Sequence, residues 1–382
     1  MSSSDPVLDP SIAGSSGLTP DLRELDVRGE PVALDAEPAP VRVSLATAAG
    51  TLAVTVTPLS GDPWRGGHVA LLRDLEAPAG APGLPLLAYL ALQRARIWRR
   101  TLVVTAEPAL ASGPMNMSLE AGDRLGAQPL DLAMHRLFAA CDPLARARLV
   151  GRFVAETLAT LDLRARAFAD NAWCRAVREG RLGRAQYVAA LANTHQYVRY
   201  TPRLLARAIA VTEDEGLRDH FLRHLVGEQK HERLIEADLR HLGADVDFVV
   251  GAMVPSPATQ AFMVAQESMI AFHQDPLRFL AAPFVAEGLA AHIEPDFLAR
   301  LAANIRRWGC SEPAQATRFL VSHAHVDGGL DGHFARTAAV LPRLLRDDTA
   351  QQRFLGVLHL AADAFAGSYD AYARDFDLSF GA

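Results

Sequence analysis

From about residue 132 to the C-terminus, apolar residues recur at three- and four-residue spacing, with polar and charged residues between them. That period marks amphipathic helices that bury one face against their neighbours. Breaks at Gly, Pro or Asp divide the stretch into helices over 144–169, 184–213, 215–243, 257–273, 277–291, 295–308, 312–345 and 349–375. No unit of roughly 20–50 residues repeats, so the pattern predicts one all-α domain over 131–382 and not a solenoid.

Before residue 130 the pattern differs. VRVSLATAAGTLAVTVTP alternates Val and Thr with small residues around an Ala-Gly turn, which predicts a hairpin. HVALLRDLEAP reads as a strand, LPLLAYLALQRARIWRR as an amphipathic helix and TLVVTAEP as another strand. Residues 41–130 therefore form a smaller α/β or α+β domain, and residues 1–40, dense in Ser, Pro, Gly and Asp, a flexible N-terminal tail. The order strand, Gly/Pro turn, helix, strand loosely resembles the core of GNAT-type N-acyltransferases. The turn here, GAPGLP at 80–85, lacks that family's basic residue and glycine pattern, which favours a structural or recognition role over acyl transfer.

Length and composition narrow the function. At 382 residues, half of them hydrophobic and 21% charged, the chain can bury one large core and a smaller one. A net charge of −6 leaves no basic footprint for nucleic acid. No stretch offers about twenty apolar residues for a membrane span, and MSSSDPVLDPSIAGSSG lacks the basic start and apolar run of a secretory signal. Cys141, Cys174 and Cys310 are an odd set without CxxC spacing, which argues against a disulfide framework and a thiolate zinc site. The expectation is a cytoplasmic protein acting on a small-molecule substrate, with homodimerisation left open.

Three places in the helical region pair acids with histidines. GEQKHERLIEADLRHLG, residues 227–243, holds Glu228 and His231, which one helix would set within a turn of each other, with His224 on the same face. FVAEGLAAH places Glu287 inside an otherwise apolar helix. SHAHVDGGLDGHF, residues 322–334, holds His323 and Asp327 one turn apart, followed by Asp331 and His333. Singly, each has a plain alternative: a chance E-x-x-H on a solvated face, a capped or salt-bridged glutamate, surface histidines in a polar helix start. Jointly, carboxylates and histidines converging from several helices make the donor set of a two-metal, oxygen-activating centre.

The three motifs together resemble the heme-oxygenase-like dimetal oxidases, or iron-containing redox enzymes. GEQKHERLIEADLRHLG is similar to that family's EExGHxxxxxxDLxxLG helix, DPLRFLAAPFVAEGL to its second ligand helix with "EG" after a Pro-Leu turn, and HAHVD to its H-x-x-x-D helix. Their order and spacing are also similar, and the resemblance covers about 135–375.

It implies a mainly α fold, a heme-oxygenase-like helical bundle, joined to the smaller N-terminal α/β domain. It also implies two iron ions, O2 and an external reductant, with metal ligands among His195, Glu228, His231, Glu287, His323, Asp327 and His333. The activity implied is oxidation of an amino-acid-like metabolite, by N-oxygenation or oxidative C–C cleavage, in specialised biosynthesis.

Two departures qualify this. The family takes a carboxylate from the helix before E-x-x-H, but no acid lies between Glu179 and Glu213, and His195 is the strongest ligand type there. The third helix normally runs H-x-x-x-D-x-x-H, yet position 330 is Leu330, so His333 serves only if Gly328-Gly329 breaks or bulges the helix. A metal-free or inactive helical protein fused to an acyl-CoA- or acyl-carrier-binding domain is the alternative. Asp238 reads as a supporting or surface acid, Glu267 and His273 as candidate pocket residues, Arg199 and Tyr200 as candidate contacts to a substrate carboxylate, and His241, His292 and His359 as surface.

Overall fold

A computed structural model describes residues 39–47, 50–59, 68–77, 81–97, 100–117, 126–329 and 332–375. The expected flexible tail, up to residue 38, and the departure at Leu330 lie outside the described residues. The chain divides into two compact units, Met1–Leu149 and Val150–Ala382.

The first unit holds β1 (Val41–Thr47), β2 (Gly50–Leu59), β3 (Val69–Glu76), α1 (Leu84–Ile97), β4 (Leu102–Thr105), α2 (Pro108–Ala111), β5 (Gly126–Pro129) and α3 (Leu130–Ala140). Its five strands lie in chain order: β1, β2 and β3 are antiparallel, β4 runs parallel to β3 after the α1 crossover, and β5 is antiparallel to β4. The Val/Thr alternation sends Val43, Leu45, Val54 and Val56 inward, where α1 covers them with Leu87, Ala88 and Leu92.

In the Gly/Pro turn, a Cβ on Gly83 would stand 3.1 Å from both Leu45 and Leu52, so this glycine lets the turn close onto the sheet. The fifth strand, GAQP, is too short and too poor in β-formers to be read from its residues; its pairing with β4 makes it a strand. Because α3 packs on α1, this unit runs beyond the boundary that the sequence places at residue 130.

The long helix α4 (Pro143–Ala169) leads into α5 (Ala172–Arg178), α6 (Arg184–Val198), α7 (Thr201–Val211), α8 (Glu215–Gly227) and α9 (Glu232–His241). Then come α10 (Val246–Gly251), α11 (Pro257–Ala271), α12 (Pro276–Ala291), α13 (Pro295–Arg307), a 3-10 turn (Pro313–Ala316), α14 (Arg318–Gly328), α15 (His333–Leu344) and α16 (Asp348–Asp375). The apolar helix α12 is buried nearly all round, against α16, α14, α11 and α15. Any acid on it is thereby forced into the interior, and Glu287 is such an acid.

Three of the long helices expected from the pattern are broken. The 184–213 helix ends at Val198 and restarts at Thr201-Pro202, where proline has no N–H to continue the ladder. The 312–345 helix is a 3-10 turn, α14 and α15, interrupted after Gly328. The 215–243 helix stops at Gly227 and resumes at Glu232, with Lys230 in the left-handed region at φ 69°. Glu228 and His231 are thus the cap residues of two helices and not neighbours on one.

Candidate metal centre

The break between α8 and α9 does not separate Glu228 from His231: their side chains still meet, with His231 Nδ1 3.2 Å from Glu228 Oε2. The other Glu228 oxygen, Oε1, lies 3.5 Å from His224 Nε2 and 3.3 Å from His333 Nδ1. Two groups result, His224–Glu228–His333 and Glu228–His231–His323, each with one donor atom per residue within 4.8 Å of the others. Glu228 belongs to both.

Local chain features bring the remaining groups in. Gly328 and Gly329 end α14, and α15 begins at His333, which turns the imidazole back toward Asp327, with Nδ1 and Oδ1 3.3 Å apart. A Cβ on Gly332 would stand 2.3 Å from Val326 O, so only glycine permits this reversal. On α14, His323 Nδ1 lies 3.0 Å from Phe319 O, and as the donor it would leave Nε2 as the available lone pair. From α12, Glu287 Oε1 lies 2.8 Å from His224 Nε2, while Glu287 Oε2 accepts from Thr337 at 3.4 Å. Thr337 Oγ1 also reaches His220 Nε2 at 3.2 Å.

Burial and charge oppose each other here. Burial favours neutral forms, but three histidines outweigh it at Glu228 and hold its carboxyl well below the ordinary range. Burial likewise pushes His224 down, yet Glu287 and Glu228 overcome it and raise the imidazole to about 10. At His333, Asp327 and Glu228 outweigh burial and raise it to about 9. Burial prevails at His323 and at His220, which is lowered to about 3.

The donor set fits iron. Imidazole nitrogens and carboxylate oxygens are the mixed donors that borderline divalent ions take, and the shared Glu228 has one oxygen toward each group. Nδ1 of His224, His231 and His333, Oε1 of Glu287 and Oδ1 of Asp327 are buried with no aligned hydrogen-bond partner. Several such atoms around a few ångströms are what a polar cluster built for a cation would leave.

Six of the seven residues expected as ligands are brought together: Glu228, His231, Glu287, His323, Asp327 and His333. The structure does not bring His195 into either group. On α6, its Nε2 instead meets Glu236 Oε1 on α9 at 3.3 Å. His224, seen on the right face in the sequence but not assigned as a ligand, belongs to the first group; its i, i+4 relation to Glu228 was the signal. Thr337 gave none.

A cavity of about 280 Å³ adjoins the cluster, and His224, Glu228, Glu287, His323 and Asp327 line it. Glu267, His273, Arg199 and Tyr200, candidates for pocket or substrate contact, do not. Glu267 is bound by Tyr200 and Arg207, and Arg199 donates to Val250 O. His292, expected at the surface, lies half-exposed at the cavity rim.

No family model matches the chain, and no curated protein does. Solved structures similar to it include a Shewanella denitrificans domain of unknown function with a heme oxygenase-like fold: 16% identity, TM-score 0.49, covering 57% of this chain and 91% of that one. A TenA homolog from Pseudomonas syringae pv. tomato gives 14%, 0.46, 59% and 93%. A CADD-like protein of unknown function from Nostoc punctiforme gives 14%, 0.46, 60% and 98%.

Proposed function

We propose that the helical unit is a non-heme diiron oxidase that couples dioxygen and an external reductant to oxidation of a small organic molecule. The observation that carries this reading is Glu228: one buried carboxylate shared by two histidine groups, an arrangement suited to a pair of adjacent ions.

His224, Glu228 and His333, supported by Glu287 and Asp327, would hold one iron, and Glu228, His231 and His323 the other. Bound iron supplies the redox capacity toward dioxygen that no side chain in the cluster has. The chain's own residues do the rest. The Phe319 carbonyl fixes the tautomer and tilt of His323, and Thr337 holds one oxygen of Glu287, so the ligands are set before an ion arrives. His231 and His333 do not line the cavity, whereas His224, Glu228, Glu287, His323 and Asp327 do, so a substrate would meet the cluster on the face these five form. The apolar helix α12 behind Glu287 excludes water from that side.

Anaerobic iron titration of the metal-free protein tests the reading. Two equivalents per chain, a new visible absorption on adding oxygen, and loss of both equivalents in Glu228→Ala are expected. Absence of iron binding by folded wild-type protein would sink it.

A further inference from the structure

Beyond the cluster, the cavity wall is aromatic and nearly free of charge. Phe168, Trp173, Tyr197, Phe262, Phe365 and Tyr369 line it, linked ring to ring at centroid separations of 5.2–5.6 Å. Among the described residues Arg178 is the only Lys or Arg in the lining; it is exposed, and its guanidinium is bound to Ala169 O and Asp170. Glu294 and Asp296, also lining, are exposed at the rim. An ionised group on a ligand therefore finds opposite charge at the metal cluster or at the rim, and none along the wall, where burying it unpaired is costly.

One polar side chain of this wall is left without a partner. Gln266, one helical turn after Phe262 on α11, is 6% exposed, lines the cavity, and makes no hydrogen bond to any described residue. A buried primary amide offers two donors and an acceptor, and leaving it unpaired is expensive unless a ligand completes it. Glu267 beside it is already occupied by Arg207 and Tyr200, so Gln266 is the residue of this pair that stays available.

We infer that the cavity binds an uncharged, aromatic-bodied small molecule through Gln266, which reads a neutral amide- or hydroxyl-type group. This deepens the oxidase reading and rests on it for the chemistry, though not for the binding. It also departs from the amino-acid-like substrate expected from the sequence, because a zwitterion would carry charge into the uncharged wall. The cavity volume sits at the small end of ligand sites, which fits a single-ring compound.

The test uses calorimetry on the metal-free, full-length protein with three probes of one body: 3-phenylpropanamide, 3-phenylpropanoate and L-phenylalanine. The amide is expected to bind at least about tenfold more tightly than the other two. Gln266→Leu and Gln266→Met should each weaken the amide about tenfold, with circular dichroism unchanged. Tighter binding of the anion or zwitterion, no binding of the amide, or equal amide affinity in folded Gln266→Met would each overturn the inference. Iron stoichiometry measured in parallel separates the two proposals. Amide selectivity without iron binding sinks only the oxidase, and two irons without amide selectivity sink only the substrate class.

Discussion

A Cβ placed on Gly227 would lie 2.5 Å from Nε2 of His333, so the last residue of α8 and the first of α15 are in contact with no room for a methyl group. The glycine makes space for the imidazole that faces Glu228 from the other side. Gly227→Ala must therefore displace the His333 ring. Iron affinity at the His224–Glu228–His333 position is expected to fall roughly 10–100-fold, with the second equivalent retained. Stepwise titration checks it; two undisturbed equivalents in the variant would exclude the assigned position of His333.

His195 offers the converse test. Its Nε2 is engaged by Glu236 and its ring is buried on α6, outside both groups. His195→Gln is expected to keep wild-type iron stoichiometry while losing about 1 kcal/mol of stability with the hydrogen bond. Loss of one equivalent would restore the ligand role that the sequence suggested.

The fold was legible where periodicity and burial agree. The apolar run of α12 announced a buried helix, and an acid inside it had to be functional or costly, so Glu287 could be picked from the sequence alone. Glu228 and His231 were picked for a reason that the structure replaces: they meet across a break at Lys230 and not on one helical face. Helix periodicity carries no record of where a chain pauses between two helices. His195 was misplaced because a histidine in the expected stretch looks the same in sequence whether it faces a cluster or a glutamate three helices on. Gln266 escaped notice because an unpaired amide is defined by what surrounds it, and only packing reveals that.

Asp238 ties the two ligand-bearing segments together. Fully buried on α9, it accepts the backbone N–H groups of Arg318 and Phe319 at 3.1 and 3.0 Å, capping α14 seven residues after His231 and one turn before His323. Asp238→Asn keeps the shape but turns one acceptor into a donor facing an N–H. A loss of roughly 1.5–3 kcal/mol in urea unfolding is expected, together with weaker iron binding at the Glu228–His231–His323 position. Unchanged stability and unchanged iron affinity would show that α14 is placed by its apolar contacts alone.

His220 sets an acid limit on the fold. Burial first, then the neighbouring His224, Arg223, His333 and Arg336, depress its imidazole to about 3, and Thr337 is its hydrogen-bond partner. In the unfolded chain the ring takes its proton near pH 6.5. Between these values the unfolded state binds the proton and the folded state does not, so stability is whole above about pH 6.5 and lost as pH falls. The full effect is on the order of 4 kcal/mol by pH 3. His220→Gln, whose amide N–H can still donate to Thr337 Oγ1, removes this titration. Urea midpoints measured from pH 7 to pH 4 should fall more steeply in the wild type than in the variant. Parallel slopes would mean that the buried imidazole takes up its proton inside the folded protein.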